Sequence, residues 1–178
     1  MLRIGLVLLF SIGLSASLEV RAQYREITQD SVFTLTPSLK LLTPTPHVVS
    51  KRIAELCVAA PPPDLLAAEV ARAGPHANVR VNLYISAGAA TAITRADRRF
   101  PVETVIVKEK LSSEGTVTAV GGMIKRARGF DPEHGDWEYF YADKSGGFSK
   151  GLLANCVQCH AKANSSDHVY TVKKARHD

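Results

Sequence analysis

The chain has 178 residues, of which 46% are hydrophobic and 22% charged, and a formal net charge of +5 at pH 7. That length suits one domain with a real core, without repeats or low-complexity tracts. No nucleic-acid motif accompanies the mild basic excess, which suits docking on acidic redox partners instead.

Residues 1–22 read as a secretory signal peptide. Arg3 is a basic start, Ile4 to Leu14 is an apolar stretch, and Val20-Arg21-Ala22 offers small residues around a cleavage point before Gln23. The apolar stretch is about half the ~20 residues a spanning helix needs. A periplasmic protein with no membrane span after signal cleavage is expected. Residues 23–49 are polar, carry Pro37, Pro44 and Pro46, and read as an extended, partly mobile leader to a domain over 50–178. Ser50 caps a predicted helix through Ala60, stopped by Pro61-Pro62-Pro63. Cys57 within it reads as a small buried hydrophobe. Asp64 caps a second helix that ends at Gly74-Pro75.

From Val79 the period changes to two, with Val79, Val81, Leu83 and Ile85 alternating with Arg80, Asn82 and Tyr84. Ala87 to Ala96 reads as a short helix, Thr104 to Leu111 as a β-branched strand, and Thr116 to Lys125 as its return. Gly121-Gly122 suggests a bulge or a close backbone approach. The basic cluster Lys125, Arg126 and Arg128 is either a docking patch or a solvated strand end, the second being the commoner case. Trp137 to Tyr141 is an aromatic strand, and Gly151 to Ala163 a helical segment.

That last segment contains Cys156-Val157-Gln158-Cys159-His160, the C-x-x-C-H pattern of a c-type haem attachment site. Two thiols at this spacing each add to a haem vinyl group, and the adjacent imidazole serves as the proximal iron ligand. The competing readings are a disulfide, a redox C-x-x-C and half a zinc site. Zinc would need further ligands, for which Cys57 and His168 are the candidates, and neither lies in a second C-x-x-C. Met123 reads as core, His168 as a surface or supporting histidine near the proximal side, and Trp137, Tyr139 and Tyr141 as a packed sheet face. His47, His76, His134 and His177 read as solvated. On the residues alone, Lys108 shares a strand face with Thr104 and Ile106 and is an ordinary surface lysine.

The segments Phe100 to Glu109, Gly135 to Tyr141 and Cys156 to His160 resemble the cytochrome P-460 family, which includes the cytochromes c-prime-beta. The likeness covers roughly residues 79 to 170. It implies an α+β fold, mainly an antiparallel sheet with flanking helices and a haem-binding helix near the C-terminus. It also implies one covalent haem c with an open sixth site, and a homodimer. The family's cross-linking lysine matches Lys108, so the resemblance places Lys108 at the haem edge as a cofactor-binding residue. Burial beside the ring would lower its pKa and free the amine for bonding. The family's distal glutamate falls on Gly121, which has no proton acceptor, and Glu114 in the shortened turn is the alternative.

The expected function is a periplasmic mono-haem c protein that binds and oxidises a small nitrogen compound, hydroxylamine or nitric oxide, and passes electrons to a redox partner. The rivals are a c-prime-beta-like protein that binds nitric oxide or carbon monoxide without turnover, and a plain electron carrier.

Overall fold

The computed structural model describes residues 27–48, 80–95, 99–112 and 114–170. The signal peptide, the helices predicted over 50–74 and Cys57 lie outside these residues. The described part is built on one antiparallel sheet of seven strands. They are β1 (Lys40–Leu41), β2 (His47–Val48), β3 (Arg80–Ile85), β4 (Val105–Leu111), β5 (Val117–Lys125), β6 (Trp137–Asp143) and β7 (Phe148–Gly151). Their order is β1-β3-β4-β5-β6-β7, with β2 also paired to β3. A 3-10 helix, Ala87–Ile93, follows β3, and α1 (Ala154–Ala161) follows β7. This is the expected α+β class.

The central strands are β-branched and aromatic because both faces of the sheet are covered. One face carries Val105, Val107, Val120, Ile124, Phe140 and Ala142, buried together with Ile27, Val32 and Leu35 from the N-terminal segment. The other carries Ile85, Met123, Trp137 and Tyr139, packed with Ala89, Ala92, Phe100 and Val169 and with Cys156 and Val157 of α1.

The segment read as a mobile leader is different in the structure. Between Ile27 and Val48 it forms short 3-10 turns and two strands on β3. Ile27, Val32 and Leu35 are almost fully buried. It is also tied to the sheet by Glu109, whose carboxylate accepts from Thr36 Oγ1 at 3.0 Å and Tyr84 Oη at 2.9 Å. Of the prolines that suggested an extended leader, Pro37 sits in a 3-10 turn and Pro44 in a bend, and the segment still packs on the core.

Register arranges the α1-side face in rows. Ile85, Ile106, Met123 and Tyr139 pair across β3 to β6, then Leu83, Lys108, Gly121 and Tyr141, then Val81, Lys110, Ala119 and Asp143. The Gly-Gly pair serves a close approach rather than a bulge. A Cβ on Gly122 would lie 2.3 Å from Phe140 Cζ and 2.5 Å from the Ile106 carbonyl oxygen. The irregularity in register falls at Lys110/Leu111 instead. On Gly121 a Cβ would meet only ordinary contacts, the nearest being Tyr141 Cδ2 at 3.5 Å.

These two glycines give a paired test. Gly122→Ala is expected to destabilise the fold by about 1–3 kcal/mol through overpacking. Gly121→Ala is expected to change stability by less than about 1 kcal/mol. Urea denaturation of both variants checks this, and equal losses would contradict the face assignment.

Candidate functional site

Helix α1 places Cys156 and Cys159 one turn apart on neighbouring parts of one face. Both are free thiols, Cys156 half-buried and Cys159 buried. Cys159 Sγ lies 4.0 Å from Tyr170 Oη, which itself donates to the Cys159 carbonyl at 2.8 Å. Burial pushes the Cys156 thiol pKa up, against the opposing charge of Lys108. The disulfide reading therefore does not describe this pair. No cluster of three or more metal-type side chains forms among the described residues, which leaves the zinc reading without support there.

His160 is positioned by a specific contact. Its Nδ1–H donates to the backbone carbonyl of His168 at 2.7 Å. Burial lowers its pKa to about 4, with the His168 carbonyl acting in the opposite sense and Lys108 adding to the drop. The ring is therefore neutral at pH 7. With Nδ1 carrying the proton, the Nε2 lone pair is available to a metal. The ring packs between Tyr139 at 5.2 Å and Tyr170 at 5.4 Å between centroids. Tyr139 Oη is buried without a hydrogen-bond partner among the described residues.

The carbonyl that holds His160 is aimed by a strained turn. Asp167 and His168 both adopt positive φ, 53° and 62°, which costs non-glycine residues free energy. The surroundings hold it in place. Lys125 Nζ bonds both carboxylate oxygens of Asp167 at 2.7 and 2.8 Å. The Phe100 N–H donates to Asp167 Oδ2 at 3.0 Å, and Trp137 Nε1 donates to the Asp167 carbonyl at 2.8 Å. The His168 ring packs so closely on Gly135 that a Cβ there would lie 2.6 Å from Cδ2. The sequence reading of His168 as a surface or supporting histidine is thus narrowed. It is buried, and it supports His160 through its main chain, which residue identity does not reveal.

The basic cluster is also corrected. Lys125 is bound to Asp167 and lies 5.0 Å over the Trp137 ring. Arg126 is paired with Glu138. Two of its members are thus neither a docking patch nor a solvated strand end. His134 is not simply solvated either, since its Nδ1 lies 3.0 Å from both oxygens of Asp131.

Lys108 lies on the sheet face that α1 covers, in the row with Leu83, Gly121 and Tyr141. Its charge acts on both Cys156 and His160. The fold therefore brings together Lys108, Cys156 and His160, whose strand and helix are far apart in sequence. Glu114 stays in the exposed β4–β5 turn, where Ser112 Oγ donates to its carboxylate at 3.0 Å. Glu109 faces the opposite side of the sheet, towards Thr36 and Tyr84. Met123 is core, as expected. No helix among the described residues is long and apolar enough to cross a membrane.

The free thiols, the neutral imidazole with one nitrogen engaged and the other available, and the apolar face beneath them fit a haem. The donor set matches that cofactor's needs, with sulfur for attachment and nitrogen for iron. Comparison with known families agrees with this chemistry. The family model described as cytochrome P460 matches residues 66–171. No curated protein matches the chain.

The Asp167 anchor generates a test. Asp167→Ala leaves Lys125 as a nearly buried, unpaired cation, and a loss of about 3–5 kcal/mol is expected. Asp167→Asn, which keeps the shape, should lose less. Chemical denaturation of the two variants measures this, and a neutral Asp167→Ala would remove the anchor from the account.

Proposed function

Since this chain belongs to the cytochrome P460 family, whose members bind haem, we propose that it is an exported mono-haem c protein that binds a small nitrogenous or diatomic ligand, hydroxylamine or nitric oxide, at an open iron site. In this reading Cys156 and Cys159 would carry the thioether bonds, His160 would hold the iron through Nε2, and Lys108 would lie beside the haem. When bound, the haem supplies an iron that takes up small ligands and exchanges electrons. The signal-like residues 1–22 support export to the periplasm, where such attachment takes place. A redox protein partner and a homodimer belong to the same proposal.

The observation that carries it is the hydrogen bond from His160 Nδ1 to the His168 carbonyl, one residue beyond two free thiols. It fixes the imidazole in a single tautomer, while burial keeps the ring neutral, as an iron ligand requires. The chain's own residues otherwise exclude water. Ile106, Met123, Tyr139 and Val157 line an apolar face around the helix.

Oxidation of the ligand is a second reading, favoured by the place of Lys108 on the sheet face that carries the α1 contacts. It needs a group to accept protons from the nitrogen. The row through Gly121 contains Leu83, Lys108 and Tyr141, none of them a carboxylate. Binding without turnover is therefore the better-supported form of the proposal.

The ferrous absorption spectrum of protein matured in the periplasm tests this. Haem that survives denaturing gel electrophoresis is expected in the wild type and absent from the Cys156→Ser/Cys159→Ser double variant. Carbon monoxide should bind the ferrous protein. Failure to bind it would favour a plain electron carrier. A strongly red-shifted, broadened Soret band that disappears in Lys108→Met would establish the lysine cross-link and revive the oxidation reading. An ordinary haem c spectrum would leave ligand binding as the function.

A further inference from the structure

Lys110 is the one lysine on the α1-side face whose burial is nearly complete, with 7% of its surface exposed among the described residues. It lies two residues beyond Lys108 on the same face of β4, about 7 Å further along the strand. Its ammonium reaches over β5 to Tyr141 on β6, Nζ to Oη 3.4 Å, and lies 5.0 Å from the Tyr141 ring centroid. The residues it passes over are Ala119, opposite Lys110, and Gly121, opposite Tyr141. Larger side chains at those positions would block the bridge.

The pairing is incomplete. An ammonium has three N–H donors, and Tyr141 Oη is its single hydrogen-bond partner among the described residues, at a long distance. The Asp143 carboxylate acts on Lys110 through space. One oxygen of that carboxylate, Oδ1, is engaged by Ser145 and Gly147 in the β6–β7 turn, and no hydrogen bond joins it to Lys110. Burying a charge with donors left over is costly unless an acceptor arrives. Burial indeed lowers the Lys110 pKa, with Asp143 opposing it.

We propose that Lys110 and Tyr141 form an anion-recognition pair on the haem side of the sheet, taking an anionic oxygen acceptor: a carboxylate of the bound haem or a small free oxyanion such as nitrite. The inference rests on the haem reading of this face. It adds a charged, donor-rich region beside an otherwise apolar one. An amine and a phenol together are a suitable donor set for a carboxylate or oxyanion.

The test uses haem-loaded protein carrying Lys110→Met or Tyr141→Phe. The second removes only a hydroxyl and stands in if the first fails to fold. Ferric protein is titrated with sodium nitrite and followed by absorption. The haem midpoint potential and the propionate bands in resonance Raman are measured in parallel. If the acceptor is a free oxyanion, nitrite affinity falls about tenfold in each variant, the loss expected for a hydrogen bond to a charged group. If it is a haem carboxylate, nitrite affinity is unchanged. The propionate bands then shift in both variants, and the potential falls in Lys110→Met, because removing a positive charge favours ferric iron. Loaded variants that match the wild type in all three measurements would overturn the inference and leave the haem reading intact. A wild type that carries no haem would overturn both.

Discussion

The register of β4 between β3 and β5 is the constraint on which the site depends. Strand side chains alternate strictly, so a slip by one residue would exchange the two faces. Lys108 would then point to the N-terminal segment, and Val107 to the helix. The register is held from both sides. Val105 and Val107 are fully buried on one face, and Gly122 opposite Val107 admits the Phe140 ring, which a side chain would displace. The position of Lys108 is thus determined by packing on the face it does not occupy.

The second element is the turn at Asp167 and His168. Strain there is offset by a nearly buried ion pair, an indole hydrogen bond and a backbone donor to the same aspartate. This fixes one carbonyl, and through it the tautomer of His160. A histidine free to rotate would present either nitrogen; here the main chain selects one. Lys125 and Trp137 pair across the strand ends of β5 and β6, so the sheet that positions Lys108 also supports the turn that orients His160. The two parts of the site share one scaffold.

Both faces of the sheet are enclosed for different purposes. The N-terminal segment closes one face as structural core, anchored at Glu109. The helix closes the other, where polar residues remain between apolar ones. Lys108, Lys110 and Tyr141 sit on that second face. A sheet face that only had to be buried would gain by replacing them with apolar side chains. Their presence fits a face shaped to take a polar-edged cofactor.

The sequence alone determined the C-x-x-C-H spacing of the C-terminal motif and the four longer strands, because these are local patterns of a few neighbouring residues. The Cys156, Cys159 and His160 spacing is readable within one helical turn, β3 is readable from its period, and β4 to β6 from their β-branched and aromatic composition. The short strands β1, β2 and β7 were missed, since two to four residues carry too little periodicity to be recognised. Folding of the proline-bearing N-terminal segment onto the sheet was also missed, because its buried residues Ile27, Val32 and Leu35 show no strand or helix period. Tertiary structure decided that Lys125 serves Asp167 rather than solvent, that the His168 backbone orients His160, and that Lys110 bridges to Tyr141. Each of these is a contact between residues distant in the chain. Such contacts depend on register and on main-chain direction, neither of which side-chain identity encodes by itself.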